Sequence, residues 1–179
     1  MDKIDRRITR TQKLLTDALI ALALEKGYDA VTIKDITERA DISYSTFFRR
    51  YPDQDKDALL MNILEDTVNE LGELMAGSQS PEVGGTILFC HIATHQSLYR
   101  VLLGGLNSSA VVQKVQQMTV ESLLRDTDLH SDPLIPPEIA ANHIAASALA
   151  LVKWWLDNDM PYPPEQMGLI YAALIIHPT

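Results

Sequence analysis

Residues 31–51 read VTIKDITERADISYSTFFRRY, and this stretch decides the fold. Thr32 has the side chain of a helix N-cap, and Asp35 three residues later makes a weaker form of the capping box. Together they predict a helix over about residues 33–40. Asp41 and Ile42 separate this helix from the next. The first half of the stretch is therefore predicted to be one short helix and a stop.

A second short helix is predicted directly after that stop. Ser43 is its N-cap, and the helix runs from Tyr44 to about Arg50, where Pro52 prevents its continuation. Two short helices joined by a turn of three or four residues form a helix-turn-helix. The positions that must face inward are apolar, namely Ile33, Ile36, Ala40, Ile42 and Phe47.

The side chains left outward on the second helix are suited to nucleic acid. Hydroxyls, an aromatic ring and guanidinium groups can reach phosphates and base edges. These side chains belong to Tyr44, Ser45, Phe48, Arg49 and Arg50. The spacing leaves one alternative open, a helical hairpin that only packs on the preceding helix.

Helical spacing of apolar residues continues along the whole chain, without a convincing alternating strand or internal repeat. The prediction is an all-α protein. A three-helix N-terminal head that contains the helix-turn-helix (residues 1–56) is joined by a long fourth helix to a C-terminal helical body for ligand binding and dimerisation (residues 57–179). Helices are predicted over about residues 5–26, 33–40, 44–50, 55–76, 82–95, 97–103, 107–127, 137–158 and 163–176.

The net charge of −9 is divided unevenly along the chain. Residues 1–51 contain ten Lys and Arg against eight Asp and Glu, a net of +2, whereas residues 52–179 contain five against sixteen, a net of −11. The single cysteine, Cys90, is typical of a reducing cytoplasm. The most apolar stretch, residues 139–152, is expected to be too short and too polar to cross a membrane. A soluble cytoplasmic protein is expected, and charge alone favours ordinary solvated helix faces over a nucleic-acid surface at the basic end.

Residues 10–60 resemble the DNA-binding domain of tetracycline-repressor-type (TetR/AcrR) regulators. The resemblance follows the chain in order through EKGY (25–28), VTIKDI (31–36), ADIS (40–43), STFFRRY (45–51), Lys56 and Leu59-Leu60. Three positions depart from the family pattern. Asp41 replaces the usual glycine of the turn, Phe48 replaces the usual tyrosine, and the acidic segment 52–55 is about two residues longer than usual.

This resemblance implies a DNA-binding transcriptional regulator, a repressor released from a palindromic operator by a small-molecule effector. Thr32 and Lys56 would each hold a phosphate, and the start of the second helix would face the groove. The DNA-binding residues so predicted are Thr32, Lys34, Ser43, Tyr44, Ser45, Thr46, Phe48, Arg49, Arg50 and Lys56. The alternative is a helical protein-interaction module whose head does not read DNA.

The C-terminal part resembles the same family most clearly at residues 154–167, WWLDNDMPYPPEQM. In the family the last two helices pair with their copies from a second subunit, which implies a homodimer. The residues predicted at that interface are Ile144, Ala148, Leu151, Val152, Leu169, Ala172, Ala173 and Ile176. The alternative is that these helices bury each other within one chain.

A small apolar or aromatic effector is expected in a cavity among the middle helices. Its predicted lining is Phe89, His95, Tyr99, Leu102, Met118 and Trp154. His91 and His95 lie one helical turn apart, a spacing that can hold a metal. No carboxylate lies near them in sequence, so pocket or core histidines are the favoured interpretation, and no metal or cofactor is predicted. No nucleophile motif or phosphate-binding glycine loop is found, so an enzyme is not expected.

Overall fold

A computed structural model describes residues 3–51, 55–78, 80–104, 109–126 and 134–176. Every regular element within these ranges is helical, which confirms the all-α prediction. The nine α-helices of this part of the chain are α1 (Lys3–Lys26), α2 (Ile33–Ala40), α3 (Tyr44–Arg50), α4 (Lys56–Met75), α5 (Pro81–Thr94), α6 (Gln96–Gly104), α7 (Ser109–Asp126), α8 (Pro137–Asp157) and α9 (Pro164–Tyr171).

The helix ends agree with the sequence signals because those signals act locally. The Ser80 side chain accepts a hydrogen bond from the Val83 N–H, and a proline opens each of α5, α8 and α9. Two details differ from the prediction. A 3-10 turn, Tyr28–Ala30, follows α1, and the predicted last helix changes after α9 into a π-helical turn, Ala172–Ile176.

The core of the head extends into the body. Apolar side chains of α1, α2, α3 and α4 pack into one cluster, and Leu98, Val101 and Leu102 of α6 belong to the same cluster. The predicted boundary between residues 56 and 57 falls at the first residue of α4 and stays a prediction. Because the cluster is shared, a movement of α6 or α4 would change the packing of the head.

The core of the body is built around Trp155. Its ring packs edge-on against Phe89 of α5, with the ring centroids 5.2 Å apart. Helices α5 and α9 cross so closely that a Cβ placed on Gly168 would lie 2.5 Å from the backbone nitrogen of Thr86. Only glycine at position 168 allows the two backbones this distance.

Helix α8 is long and apolar enough to cross a membrane by length and composition, with a mean hydropathy of 1.2 over 18 residues. The complete helix has 21 residues and is thus longer than the apolar stretch 139–152 that was expected to be too short for a span. Only 28% of that window is buried inside the chain, so much of the apolar surface of α8 faces outward.

Candidate functional site

The turn between α2 and α3 is closed by a left-handed residue. Asp41 has φ 53° and ψ 44°, the conformation that glycine provides in the family pattern, and the Ile42 N–H donates to the Thr37 carbonyl at 3.0 Å. An open groove runs along this turn, and its lining includes Lys34, Glu38, Ser43 and Tyr44. The substitution of glycine by aspartate therefore leaves the geometry of the motif intact.

A group of hydroxyls lies at the start of α3. Ser43 Oγ accepts from the Thr46 N–H at 3.3 Å and lies 3.2 Å from the Ser45 hydroxyl and 2.8 Å from the Thr46 hydroxyl. Tyr44 is 51% exposed, and its ring lies edge-on to Phe48 with the centroids 4.6 Å apart. This end of α3 presents donors, acceptors and a ring to solvent, as base and phosphate contacts require.

The two arginines at the end of α3 point in different directions. Arg49 is exposed, whereas Arg50 donates a hydrogen bond to the Gln12 side chain of α1. The Arg50 Nε is buried and has no hydrogen-bond partner. Successive residues of a helix lie about 100° apart, so both side chains cannot share one face. Arg50 joins α3 to α1, so its predicted contact with DNA stays a prediction, and Arg49 remains available to a ligand.

The N-cap of α2 is occupied by a carboxylate. Both the hydroxyl and the N–H of Thr32 donate to Asp35, at 2.6 and 2.8 Å, and Lys26 Nζ donates to the same carboxylate at 2.7 Å. The hydrogen bond from Lys26, followed by those from Thr32, holds the pKa of Asp35 well below its usual range. A DNA phosphate would have to replace this carboxylate to reach Thr32.

Lys56 holds the head together at the start of α4. Its ammonium donates to the carbonyl oxygens of Tyr28, Asp29 and Val31 at 2.8, 3.2 and 3.0 Å, and it lies 4.5 Å from the centroid of the Tyr28 ring. These bonds use all three of its N–H donors. The predicted phosphate contact would require their release, and it stays a prediction. The preceding residues 52–54 of the acidic segment lie outside the described residues.

Further positive charge on the head comes from α1. Arg7, Arg10 and Lys13 are exposed, and none forms an ion pair with another residue of the described ranges. Lys34 on α2 is also exposed and lies 3.8 Å from the Glu38 carboxylate. The basic surface therefore extends along α1, beyond the residues predicted to bind DNA.

The six residues predicted to line an effector cavity are not brought together. Phe89 packs in the body core, whereas Leu102 and Met118 belong to the cluster of the head. Trp154 is 45% exposed, and its ring stacks on Tyr162 with the centroids 6.4 Å apart. The tryptophan inside the core is the neighbouring Trp155.

The remaining two, His95 and Tyr99, lie beside His91, and α4 adds Glu70 to them. Ligand atoms of Glu70, His91 and His95 lie within 4.8 Å of one another. His91 Nδ1 is 3.0 Å from the Tyr99 hydroxyl. Glu70 was missed because it lies 21 residues before His91, on another helix, and no local signal connects them.

Comparison with known proteins agrees with this geometry. Residues 79–177, more than half of the chain, match the C-terminal region of a group of TetR transcriptional regulators, described as "Transcriptional regulator C-terminal region". Residues 15–63 match "Bacterial regulatory proteins, tetR family". The chain belongs to the TetR family. This is a family of transcriptional regulators, and it confirms the resemblance seen in the sequence.

Two similar proteins have low sequence identity to this chain. "Uncharacterized HTH-type transcriptional regulator YxbF" of Bacillus subtilis (strain 168) is 25% identical over 181 residues, which is 93% of this chain and 44% of that protein. The chain thus spans less than half the length of this curated relative. A TetR transcriptional regulator from Streptococcus agalactiae 2603V has the same fold, with a TM-score of 0.69, 22% identity and 96% of each chain covered.

A further solved structure is that of NalD, the secondary repressor of the MexAB-OprM multidrug efflux pump in Pseudomonas aeruginosa. Its crystal structure matches with a TM-score of 0.70, 18% identity, and 94% of this chain and 95% of that chain covered. At this identity the similarity concerns the fold alone.

The predicted interface residues of this TetR-family body fall into three groups. Leu169 and Ala173 are exposed, and Ala148 and Leu151 are half-buried against the body core. The other described members are buried within the single chain and supply its own core, namely Ile144, Val152 and Ala172. The side chain of Ile176 lies outside the described part of the structure.

The apolar surface that does face outward lies on another side of α8. Ile139 is 62% exposed, and Ala146, Ala150 and Trp154 follow it along one exposed side of the helix. On the last helical segment Leu169, Ala173 and Leu174 are exposed. A helix that is apolar on most of its circumference has no polar face to set its orientation, so the sequence could not tell the two sides apart.

Proposed function

We propose that this TetR-family chain is a homodimeric transcriptional repressor that binds a palindromic operator in double-stranded DNA and releases it when a small ligand binds the body. The main support is the start of α3, where Ser43, Tyr44 and Ser45 are exposed beside the groove of the turn and Arg49 projects to solvent. Such a helix fits the major groove with its N-terminal residues on the base edges. The site of action would be the cytoplasm, where bacterial DNA lies.

The dimer supplies the second recognition helix that a palindrome requires. Two half-sites lie about one DNA turn apart, roughly 34 Å, so the spacing of the two heads decides whether both can bind. Helices α4 and α6 share the apolar cluster of the head, and a ligand that shifts either helix would alter that spacing. The ligand must prefer the spacing that does not fit DNA, since only differential affinity shifts an equilibrium.

Salt-dependent DNA binding tests the proposal. Operator sequences are selected from a random duplex pool, and affinity is measured by fluorescence anisotropy at several salt concentrations. The wild type should show a steep salt slope, and Arg49→Ala should reduce that slope by about one if this residue contacts a phosphate. Arg125→Ala is the matched control, because it removes the same charge from an exposed position on α7.

Base reading is tested with Tyr44→Ala, which should change the preferred sequence more than the affinity for bulk DNA. Absence of salt-dependent binding to any duplex would contradict the proposal and favour a head that binds protein. An unchanged selected sequence for Tyr44→Ala would contradict the placement of α3 in the groove.

A further inference from the structure

Three side chains that can bind a metal converge between α4 and α5. Glu70 extends from α4, and His91 and His95 extend from successive turns at the end of α5. His91 Nε2 lies 3.7 Å from a Glu70 carboxylate oxygen, and the centroids of the two imidazole rings lie 4.6 Å apart. Two helices that are separate in sequence thus direct two nitrogens and one oxygen to the same place.

His91 is held in the orientation that a ligand needs. Its side chain is 2% exposed, and its Nε2 is buried with no hydrogen-bond partner. Its other ring nitrogen, Nδ1, lies 3.0 Å from the Tyr99 hydroxyl. When Nδ1–H donates to that hydroxyl, Nε2 keeps its lone pair and faces Glu70, an arrangement of the kind that orients metal-binding histidines. A buried nitrogen without a hydrogen-bond partner is uncommon in proteins, and a bound ion would supply the missing partner.

We propose that Glu70, His91 and His95 bind a divalent transition metal of the zinc type and thereby connect α4 to α5. Two imidazole nitrogens and one carboxylate oxygen are a zinc donor set, whereas magnesium and calcium take mostly oxygen ligands. Zinc binds such atoms at about 2.0–2.2 Å, so ligand atoms of one ion lie within roughly 4.2 Å of each other. The present separations of up to 4.8 Å close with a small movement of Glu70, whose side chain is 56% exposed.

The surroundings of His91 also affect its pKa. Burial, and then the nearby His95, lower the pKa of His91, while Glu70 opposes the shift. The half-exposed Glu70 leaves one side of the site open for water as a fourth ligand.

The site is connected to the head through α4. Glu70 lies 14 residues after Lys56, which corresponds to about 21 Å along one helix. At the start of α4 the Lys56 ammonium donates hydrogen bonds to the carbonyl oxygens of Tyr28, Asp29 and Val31, which lie directly before α2. A metal that draws α4 toward α5 along with the Glu70 side chain would move the segment that positions the helix-turn-helix. This regulatory part rests on the proposed function, whereas the metal site does not.

Metal binding is tested without DNA on the full chain. Cobalt(II) replaces zinc as a coloured probe, because its visible absorption bands report a four-coordinate site. We expect one cobalt per chain, displaced by one zinc. Glu70→Gln and His95→Gln should each weaken binding by more than the 10- to 100-fold that loss of an outer-shell partner costs, and Tyr99→Phe should weaken it by roughly that amount.

Matched controls are available on α4 and on α8. Glu73→Gln removes an exposed carboxylate from α4, and His143→Gln removes an exposed histidine from α8, and both should bind cobalt as the wild type does. Circular dichroism confirms that each variant is folded. The metal site is refuted if the wild type binds no cobalt or zinc at micromolar concentration, or if Glu70→Gln and His95→Gln bind as tightly as the controls.

Operator affinity with and without zinc tests the regulatory part. Zinc should change the affinity of the wild type by about 5- to 150-fold, the usual range of allosteric coupling, and Glu70→Gln should lose this response. Unchanged operator affinity in the zinc-loaded protein would refute regulation through this site. Metal binding by a protein that binds no DNA would instead refute the proposed function and leave the metal site intact.

Discussion

Replacement of Leu169 by glutamate should separate the proposed dimer. Leu169 is 57% exposed on α9, and that fraction would be covered by the second subunit. Full burial of a leucine contributes about 1.5–3 kcal/mol, so the exposed part contributes roughly 0.9–1.7 kcal/mol per subunit. A two-fold interface contains the residue twice, so the loss is about 1.7–3.4 kcal/mol per dimer. The dimer dissociation constant should rise roughly 15- to 300-fold.

The carboxylate itself increases this effect, because an unpaired charge at an interface must lose its hydration. Sedimentation velocity over a range of protein concentrations measures the dissociation constant. Leu74→Glu is the matched control, since Leu74 is 51% exposed on α4 and lies outside the proposed interface. The interface would be refuted if Leu169→Glu dissociates at the same concentration as the wild type, or if Leu74→Glu dissociates equally readily.

Two further predictions concern stability. Gly168→Ala places a Cβ 2.5 Å from the Thr86 backbone nitrogen. The substitution should lower the free energy of unfolding by about 3 kcal/mol, the upper end for overpacking, and the melting temperature by roughly 6–12 °C. The control Gly72→Ala, which has open space at its Cβ, should not lower the melting temperature. The pKa of Asp35 is lowered by Lys26, so its contribution to stability is present above about pH 4 and is lost as the pH falls toward the folded-state pKa. Melting curves should therefore show Asp35→Asn less stable than wild type at pH 6 and the difference shrinking below pH 4, and a constant difference would contradict this.

The helix-turn-helix could be predicted closely because its signals are local. The Thr32 and Ser43 caps, the left-handed Asp41 and the apolar positions between them act within a few residues. The predicted ranges 33–40 and 44–50 agree with α2 and α3. The resemblance to TetR-type regulators rests on this same segment, which is why family and fold could both be recognised from the sequence.

The directions of side chains at the site could be predicted only in part. Arg49 and Arg50 are adjacent, so the helical period directs them to different sides of α3, but only the packing of α3 against α1 shows that Arg50 meets Gln12. Likewise the family resemblance predicts that Lys56 binds a phosphate. In the structure its ammonium binds backbone carbonyl oxygens that lie more than 20 positions earlier in the sequence. Such contacts depend on how helices pack against each other.

The sequence by itself determined the order and ends of the helices, the helix-turn-helix and the family, because caps, prolines and apolar spacing act over a few residues of chain. The tertiary structure alone decided which tryptophan enters the core, which side of α8 stays exposed, and that Glu70 meets His91 and His95. The physical reason is that a helix apolar on most sides can bury several of them, and only its neighbours select one. The same packing brings α4 against α5 and thereby joins a carboxylate to two histidines that the sequence keeps apart.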